Sequence, residues 1–255
     1  MNKPNTTRRS FLKASLAAGT AAVISGTKGR AKIIGANDRV RIAVAGLNGR
    51  GGSHIGGFMG QKNVEIAYLV DPDSKAVSRR VDEVNRKGQY KPKGAADIRH
   101  AIADKDVDAI TVAAPNHWHS LMTIWGAQGG KHVYVEKPMT RYLGEAFDFY
   151  DAVKRTKRKV QVGSQITSCG NFAKAAELIA QGKMGPLVLA QGSYMRNNPK
   201  GEWNYRLQDW ATKGDIQWTT QGGKIGWLRE DMKQIGFSPD HYFRWRKYLP
   251  YCAGL

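Results

Sequence analysis

Cysteine is scarce in this sequence: Cys169 and Cys252 are the only two in 255 residues. Two thiols exclude a disulfide framework and a four-thiolate metal site. No run of 18 apolar residues occurs, so the sequence offers no bilayer-spanning helix. Internal repeats are absent too. Acidic residues are missing from one end: residues 1–32 hold seven Lys/Arg and no Asp or Glu. Removing those seven bases takes the net charge from +19 to +12, left by 33 basic and 21 acidic residues. Both signs are mixed along that remainder, which argues against a nucleic-acid partner. With 41% hydrophobic and 24% charged residues, the chain can build a packed core, and wholesale disorder is excluded.

The basic end reads as an address. Thr7-Arg8-Arg9-Ser10-Phe11-Leu12-Lys13 precedes Ala14 to Ser25, twelve small or apolar residues without charge. A basic head and a short apolar segment make a secretory signal over residues 1–32. The paired arginines followed by Phe11 and Leu12 resemble the bacterial twin-arginine signal. That resemblance implies the twin-arginine export machinery as a partner and the periplasm as destination. The route carries folded proteins, which suits a protein that must first acquire a cytoplasmic cofactor. Gly29-Arg30-Ala31 is a poor cleavage site, and an uncleaved segment would act as a membrane tether.

After Asp38, apolar strand runs alternate with helix-compatible segments. The strands are Arg41 to Ala45, Val64 to Val70, Val107 to Ala113, Lys131 to Val135 and Val160 to Gln165. Between them, helices are expected from the glycine cluster Gly46–Gly52 to Met59, to about Arg86, over Asp97–Ala103, from an Asn116 cap to Ala127, and over Tyr142–Lys157. Such alternation predicts a doubly wound parallel sheet, a Rossmann-type α/β domain over residues 38–158. Residues 159–255 then form a partial α+β second domain, with a helix over Phe172–Ala180 and a one-face-wet strand over Leu187–Met195. From Asn197 to Tyr251 periodicity fades, and Trp, Tyr, Gly and Asn are frequent.

Gly46-Leu47-Asn48-Gly49-Arg50-Gly51 follows the first strand and opens a helix, where a dinucleotide fold needs glycines. The helix N-terminus would offer free N–H groups and a positive dipole end to the phosphates. Asn48 stands at the middle glycine of G-x-G-x-x-G; it tolerates left-handed backbone, though its side chain can crowd a pyrophosphate. Asp71 ends the second strand, 20 residues after Gly51, where a carboxylate can accept hydrogen bonds from the adenosine ribose. Its plainer role is to start the Asp71-Pro72 turn. A carboxylate there repels a 2′-phosphate and favours NAD, while Arg79 and Arg80 leave NADP open.

Pro115-Asn116-His117-Trp118-His119 after the third strong strand, and Glu136-Lys137-Pro138 after the next, resemble the Gfo/Idh/MocA oxidoreductases, the family of glucose–fructose oxidoreductase and inositol 2-dehydrogenase. The likeness continues through Val162-Gly163-Ser164-Gln165, Asn171-Phe172 and Gly182-Lys183-Met184-Gly185, most of residues 38–195. It implies hydride transfer between a sugar or polyol-like substrate and nicotinamide. It puts Lys137 beside the nicotinamide ribose and substrate as the catalytic residue, and Pro115, Asn116, His119 and Glu136 along the cofactor with Gly46, Asn48, Gly49, Arg50, Gly51 and Asp71. Lys137 also ends a parallel strand, the edge where open α/β sheets bind ligands. Partly desolvated near other cations, such an amine can take part in proton transfer. The spacing His117-x-His119 has no Cys or HExxH partner nearby, so no metal site is expected. His54, beside the glycine loop, reads as a capping or packing residue.

The family also uses an Asp and a His one helical turn apart, after a Gly-Gly stretch downstream of the region like Tyr242-Phe243-Arg244-Trp245-Arg246-Lys247-Tyr248. The sequence reaches Leu255 about where that segment would begin, and Asp240-His241 has the wrong spacing and position. The expectation is a truncated member. Trp203, Tyr205, Trp210, Trp218, Trp227, Trp245 and Tyr248 suit sugar stacking or, equally, interdomain or homo-oligomer packing. The basic run Lys154-Arg155-x-Lys157-Arg158-Lys159 suits a solvated helix end. Three further readings remain: a family glycosidase that regenerates NAD in each turnover, a non-catalytic NAD- or carbohydrate-binding remnant, and a nucleic-acid binder.

Overall fold

The computed structural model describes residues 39–87, 90–193, 195–209 and 214–253. The signal segment expected over residues 1–32 lies outside them, as does Trp210. Six strands form one parallel sheet: β1 (Val40–Ala45), β2 (Val64–Val70), β3 (Lys93–Ala95), β4 (Ala109–Val112), β5 (His132–Glu136) and β6 (Val160–Gly163). Their order is β3-β2-β1-β4-β5-β6, the doubly wound order expected. β1, β2 and β4 are almost wholly buried, so they read as continuous apolar runs rather than alternating ones. β6 pairs with β5, Val133 opposite Val160, and carries the sheet on to Gly163. β3 is not foreseen: Lys93-Gly94-Ala95 has no apolar pattern, and it is a strand only through pairing with Tyr68 to Val70.

Five helices cross between the strands: α1 (Gly49–Met59), α2 (Ser74–Arg86), α3 (Ile98–Ala103), α4 (Asn116–Gln128) and α5 (Leu143–Thr156). One side of the sheet packs Ile42, Val44, Ile66 and Leu69 with Ile55 of α1 and Val84 of α2. The other packs Val70, Ile110, Val112 and Val135 with Trp118 and Met122 of α4 and Phe149 of α5. Asp73 caps α2 by accepting from the Lys75 and Ala76 N–H groups, as a turn-forming Asp should. Asn116 does not cap α4. Pro115 holds the cap position with extended backbone, and Asn116 is the first helical residue, buried with its amide 3.7 Å from Cys252 Sγ. A proline sets the extended entry without needing its N–H, which leaves the Asn116 side chain free to point inward.

Beyond the sheet come α6 (Gly170–Ala180), α7 (Pro239–Phe243) and a 3₁₀ turn over Trp245–Lys247. The strand expected over Leu187–Met195 is not formed. Among the described residues no strand pairs with it, and Leu187, Val188, Leu189 and Met195 are exposed. Alternation alone leaves the backbone groups of a strand unpaired; a neighbour is what makes one. Residues 214–253 return to the sheet. Ile216, Trp218, Trp227, Leu228, Tyr242 and Tyr251 build a third core cluster, with Trp218 and Trp227 stacked at 4.6 Å and 7°. This cluster is tied to the strand ends: Ser74 N–H donates to Asp215 O (2.9 Å), and Tyr242 Oη donates to Asp73 (3.2 Å). No helix among the described residues is long and apolar enough to cross a membrane.

Candidate functional site

The chain leaves β1 toward β2 and β3 on one side, then returns to β4 on the other. A crevice must open at the carboxyl ends of β1 and β4, where the winding reverses. The structure has a cleft of about 790 Å³ there, lined by Gly46 to Arg50, Asp71, Arg79 and Pro115. Its other walls are aromatic and basic: Trp118, Tyr205, Trp227, Tyr242, Trp245 and Arg246.

The glycine turn fits a phosphate cradle. Gly46 has φ +83° and Gly49 φ +40°, both in the left-handed region. A Cβ on Gly46 would meet the Ala113 backbone at 2.6 Å, and one on Gly51 would run into the Gly46 carbonyl. Asn48, which tolerates left-handed geometry, does not take it here. It is extended (φ −89°, ψ 171°) and caps α1 by backbone position, because the glycines on either side supply the positive φ. Its side-chain oxygen turns to Arg79, whose Nη2 donates at 2.7 Å. The first turn of α1 carries no acid, and its first two residues, Gly49 and Arg50, line the cleft at the positive end of the helix, while Gly51 N–H donates to Asn48 O at 2.9 Å.

Asp71 is 6% exposed and accepts from Leu47 N–H at 2.8 Å and Asp73 N–H at 3.0 Å. Burial pushes its carboxyl up to about 6, against the lowering effect of those two N–H groups. It therefore joins the glycine loop to the second strand and lines the cleft as well.

Asn116, His119, Glu136 and Lys137 stand outside this lining, at the ends of β4 and β5. His119 is 1% exposed, with Nδ1 2.7 Å from Pro138 O and Nε2 2.8 Å from Ala114 O. Burial keeps its pKa below the ordinary imidazole value, so the neutral ring donates to one carbonyl at a time. It bridges the two motif loops. His117 is driven down to about 3 by burial; its Nε2 and the Trp118 indole N–H both donate to Trp227 O, at 2.9 and 2.8 Å. His117 is therefore a buried structural imidazole. No group of three metal-ligating side chains occurs among the described residues.

Lys137 follows β5 directly and is exposed, so the desolvated amine expected from the sequence is not found. Glu136 beside it is buried and accepts from His54 Nε2 at 2.9 Å, with Arg50 Nε at 3.5 Å. Burial alone raises Glu136, but the His54 hydrogen bond and the neighbouring cations outweigh it and hold the carboxyl below its usual range. His54 Nδ1 lies 2.6 Å from Thr111 Oγ1. Sequence reading gave His54 only a capping or packing role; the signal was Thr111, a polar residue inside the apolar run of β4.

The aromatic segment divides in two. Trp218 and Trp227 are core residues, 5% and 3% exposed, which decides for packing there. Tyr205, Trp245 and Arg246 wall the cleft, with Arg246 5.0 Å from the Trp203 ring; the sequence marks Tyr205 and Trp245 only as aromatics for stacking or packing, and Arg246 only within the family-like stretch Tyr242 to Tyr248.

Comparison with known proteins agrees with this fold. "Glycosyl hydrolase family 109 protein 2" of Shewanella sp. (strain ANA-3) is 26% identical over 208 residues, 74% of this chain and 46% of that protein. The chain thus spans about half the length of the curated relatives it matches. Among solved structures, GenD2 from gentamicin A biosynthesis, in complex with NAD, aligns at 25% identity and TM-score 0.52, over 60% of this chain and 42% of that one. Apo scyllo-inositol dehydrogenase from Lactobacillus casei shares the fold at 19% identity and TM-score 0.53, over 58% and 43%. The model of the Gfo/Idh/MocA oxidoreductase family, NAD-binding Rossmann fold, matches residues 40–164. Over those residues, 40–164, the chain matches the NAD-binding Rossmann domain of the Gfo/Idh/MocA oxidoreductases.

Proposed function

We propose that the protein is an NAD-dependent oxidoreductase acting on an alcohol carbon of a sugar or polyol. The observation that carries this reading is the cleft at the sheet's switch point, with the glycine cradle and α1 N-terminus on one wall and Asp71 on the next. These residues fit a dinucleotide: the cradle closes if a Cβ is added at Gly46 or Gly51, and Asp71 can accept from ribose hydroxyls. NAD, when bound, supplies the hydride acceptor. The chain's own part is to hold the pyrophosphate on α1 N–H groups and Arg50, and the adenosine ribose on Asp71. Lys137, at the end of β5, is the base this reading assigns: its neutral amine would take the hydroxyl proton as the hydride leaves, which requires bound nicotinamide and substrate to cover a side chain that is exposed here. The Asp71 carboxylate selects NAD over NADP. Transfer through the twin-arginine route to the periplasm, carried by Arg8-Arg9-Ser10-Phe11-Leu12, belongs to the same proposal.

A second reading is supported by the relative named for glycosyl hydrolase family 109: a glycosidase that oxidises and re-reduces its substrate within one turnover. Incubation with NAD and a panel of polyols, sugars and aryl glycosides separates the two. Accumulating NADH supports the oxidoreductase; glycoside cleavage without net NADH supports the glycosidase. Neither product, with NAD demonstrably bound, leaves a cofactor-binding remnant.

A further inference from the structure

Arg50 and His54 are one helical turn apart on α1, and both reach the Glu136 carboxylate, at 3.5 and 2.9 Å. The His54 side chain is 11% exposed and is fixed from behind by Thr111 Oγ1 at 2.6 Å. With the ring neutral, one arrangement satisfies both contacts: the Thr111 hydroxyl donates to Nδ1, and Nε2–H donates to Glu136. Glu136 is thereby held from α1, while the Pro138 carbonyl lies 2.7 Å from His119 Nδ1. Lys137 sits between these two anchored neighbours. Arg50 also lines the cleft, so one helix face touches both the phosphate wall and the Lys137 loop.

We propose that His54 is a positioning residue for the nicotinamide half of the site: through Glu136 it sets the loop that carries Lys137, and it ties that loop to the phosphate-binding helix. The inference rests on the NAD reading above. It assigns His54 no contact with the cofactor or substrate. Its effect is confined to the end of β5, because Asp71 and the glycine turn are held by other bonds, Leu47 N–H to Asp71 among them.

The test compares NAD with ADP-ribose, which lacks the nicotinamide, by titration calorimetry on the full chain. H54L removes both hydrogen bonds at similar volume. H54Q keeps them, its amide oxygen accepting from Thr111 and its amide nitrogen donating to Glu136. For H54L we expect ADP-ribose affinity within about twofold of wild type and NAD affinity lowered by about tenfold, the scale of a lost hydrogen bond to a charged group. H54Q should restore NAD affinity to within about threefold. T111V, which leaves His54 in place but unaligned, should lower NAD affinity selectively by a smaller factor, and it serves if H54L does not fold. Equal losses for both ligands, no loss, or H54Q as weak as H54L would overturn the positioning role. A wild-type chain that binds neither ligand would overturn the NAD reading itself and this inference with it.

Discussion

Asp71 makes the strength of NAD binding depend on pH in a calculable way. Its free carboxyl titrates at about 6 because burial opposes ionisation. Ribose hydroxyls donate to the ionised form, so the cofactor binds the carboxylate and competes with the proton. The apparent Kd then rises in proportion to one plus the ratio of protonated to ionised Asp71. At pH 7 the correction is roughly a tenth; at pH 5 affinity is about elevenfold weaker, and each further unit costs about another tenfold. D71N deletes the titration and the charge-assisted bonds, worth about 1.5–3 kcal/mol, so it should bind NAD roughly ten- to hundredfold more weakly at pH 8. Its Kd should then stay flat down to pH 5. Quenching of tryptophan emission is a suitable readout, since Trp118, Trp227 and Trp245 line the cleft. A wild-type Kd constant from pH 8 to 5, or a break near 6 that persists in D71N, would refute the assignment of Asp71.

G51A pushes a Cβ into the Gly46 carbonyl; overpacking of this kind costs about 1–3 kcal/mol, so calorimetry should show a lower Tm together with lost NAD binding. W227A empties a stacked core position; chemical denaturation should show about 3–5 kcal/mol less stability. His117 has a folded pKa of about 3 against 6.5 for the free imidazole. Its contribution to stability is complete above pH 6.5 and is lost as pH falls toward 3. Between pH 7 and pH 4 the wild type should therefore lose about 3 kcal/mol relative to H117Q, and parallel denaturation curves for the two at both pH values would contradict this.

The sheet was legible because fully buried parallel strands such as VEIAYLV leave an unbroken apolar signature, and glycines with Asp71 sit at its ends. β3 was not, since Lys93-Gly94-Ala95 is a strand by pairing alone. Asn48 does not use its tolerance of left-handed backbone, because the positive φ is carried by Gly46 and Gly49 instead. The expected desolvation of Lys137 failed because burial depends on what covers a loop, which the motif does not encode. The same holds for residues 214–253: their aromatics carry no period, so nothing in the order Trp218, Trp227, Tyr242 shows that they pack back over the strand ends.

The most direct measurement is a crystal structure of this chain grown with NAD. The account predicts the pyrophosphate against the N–H groups of Gly49 and Arg50, the adenosine ribose on Asp71, and the nicotinamide toward the end of β5 and Lys137. NAD bound elsewhere, or run through the cleft in the opposite direction, would contradict it.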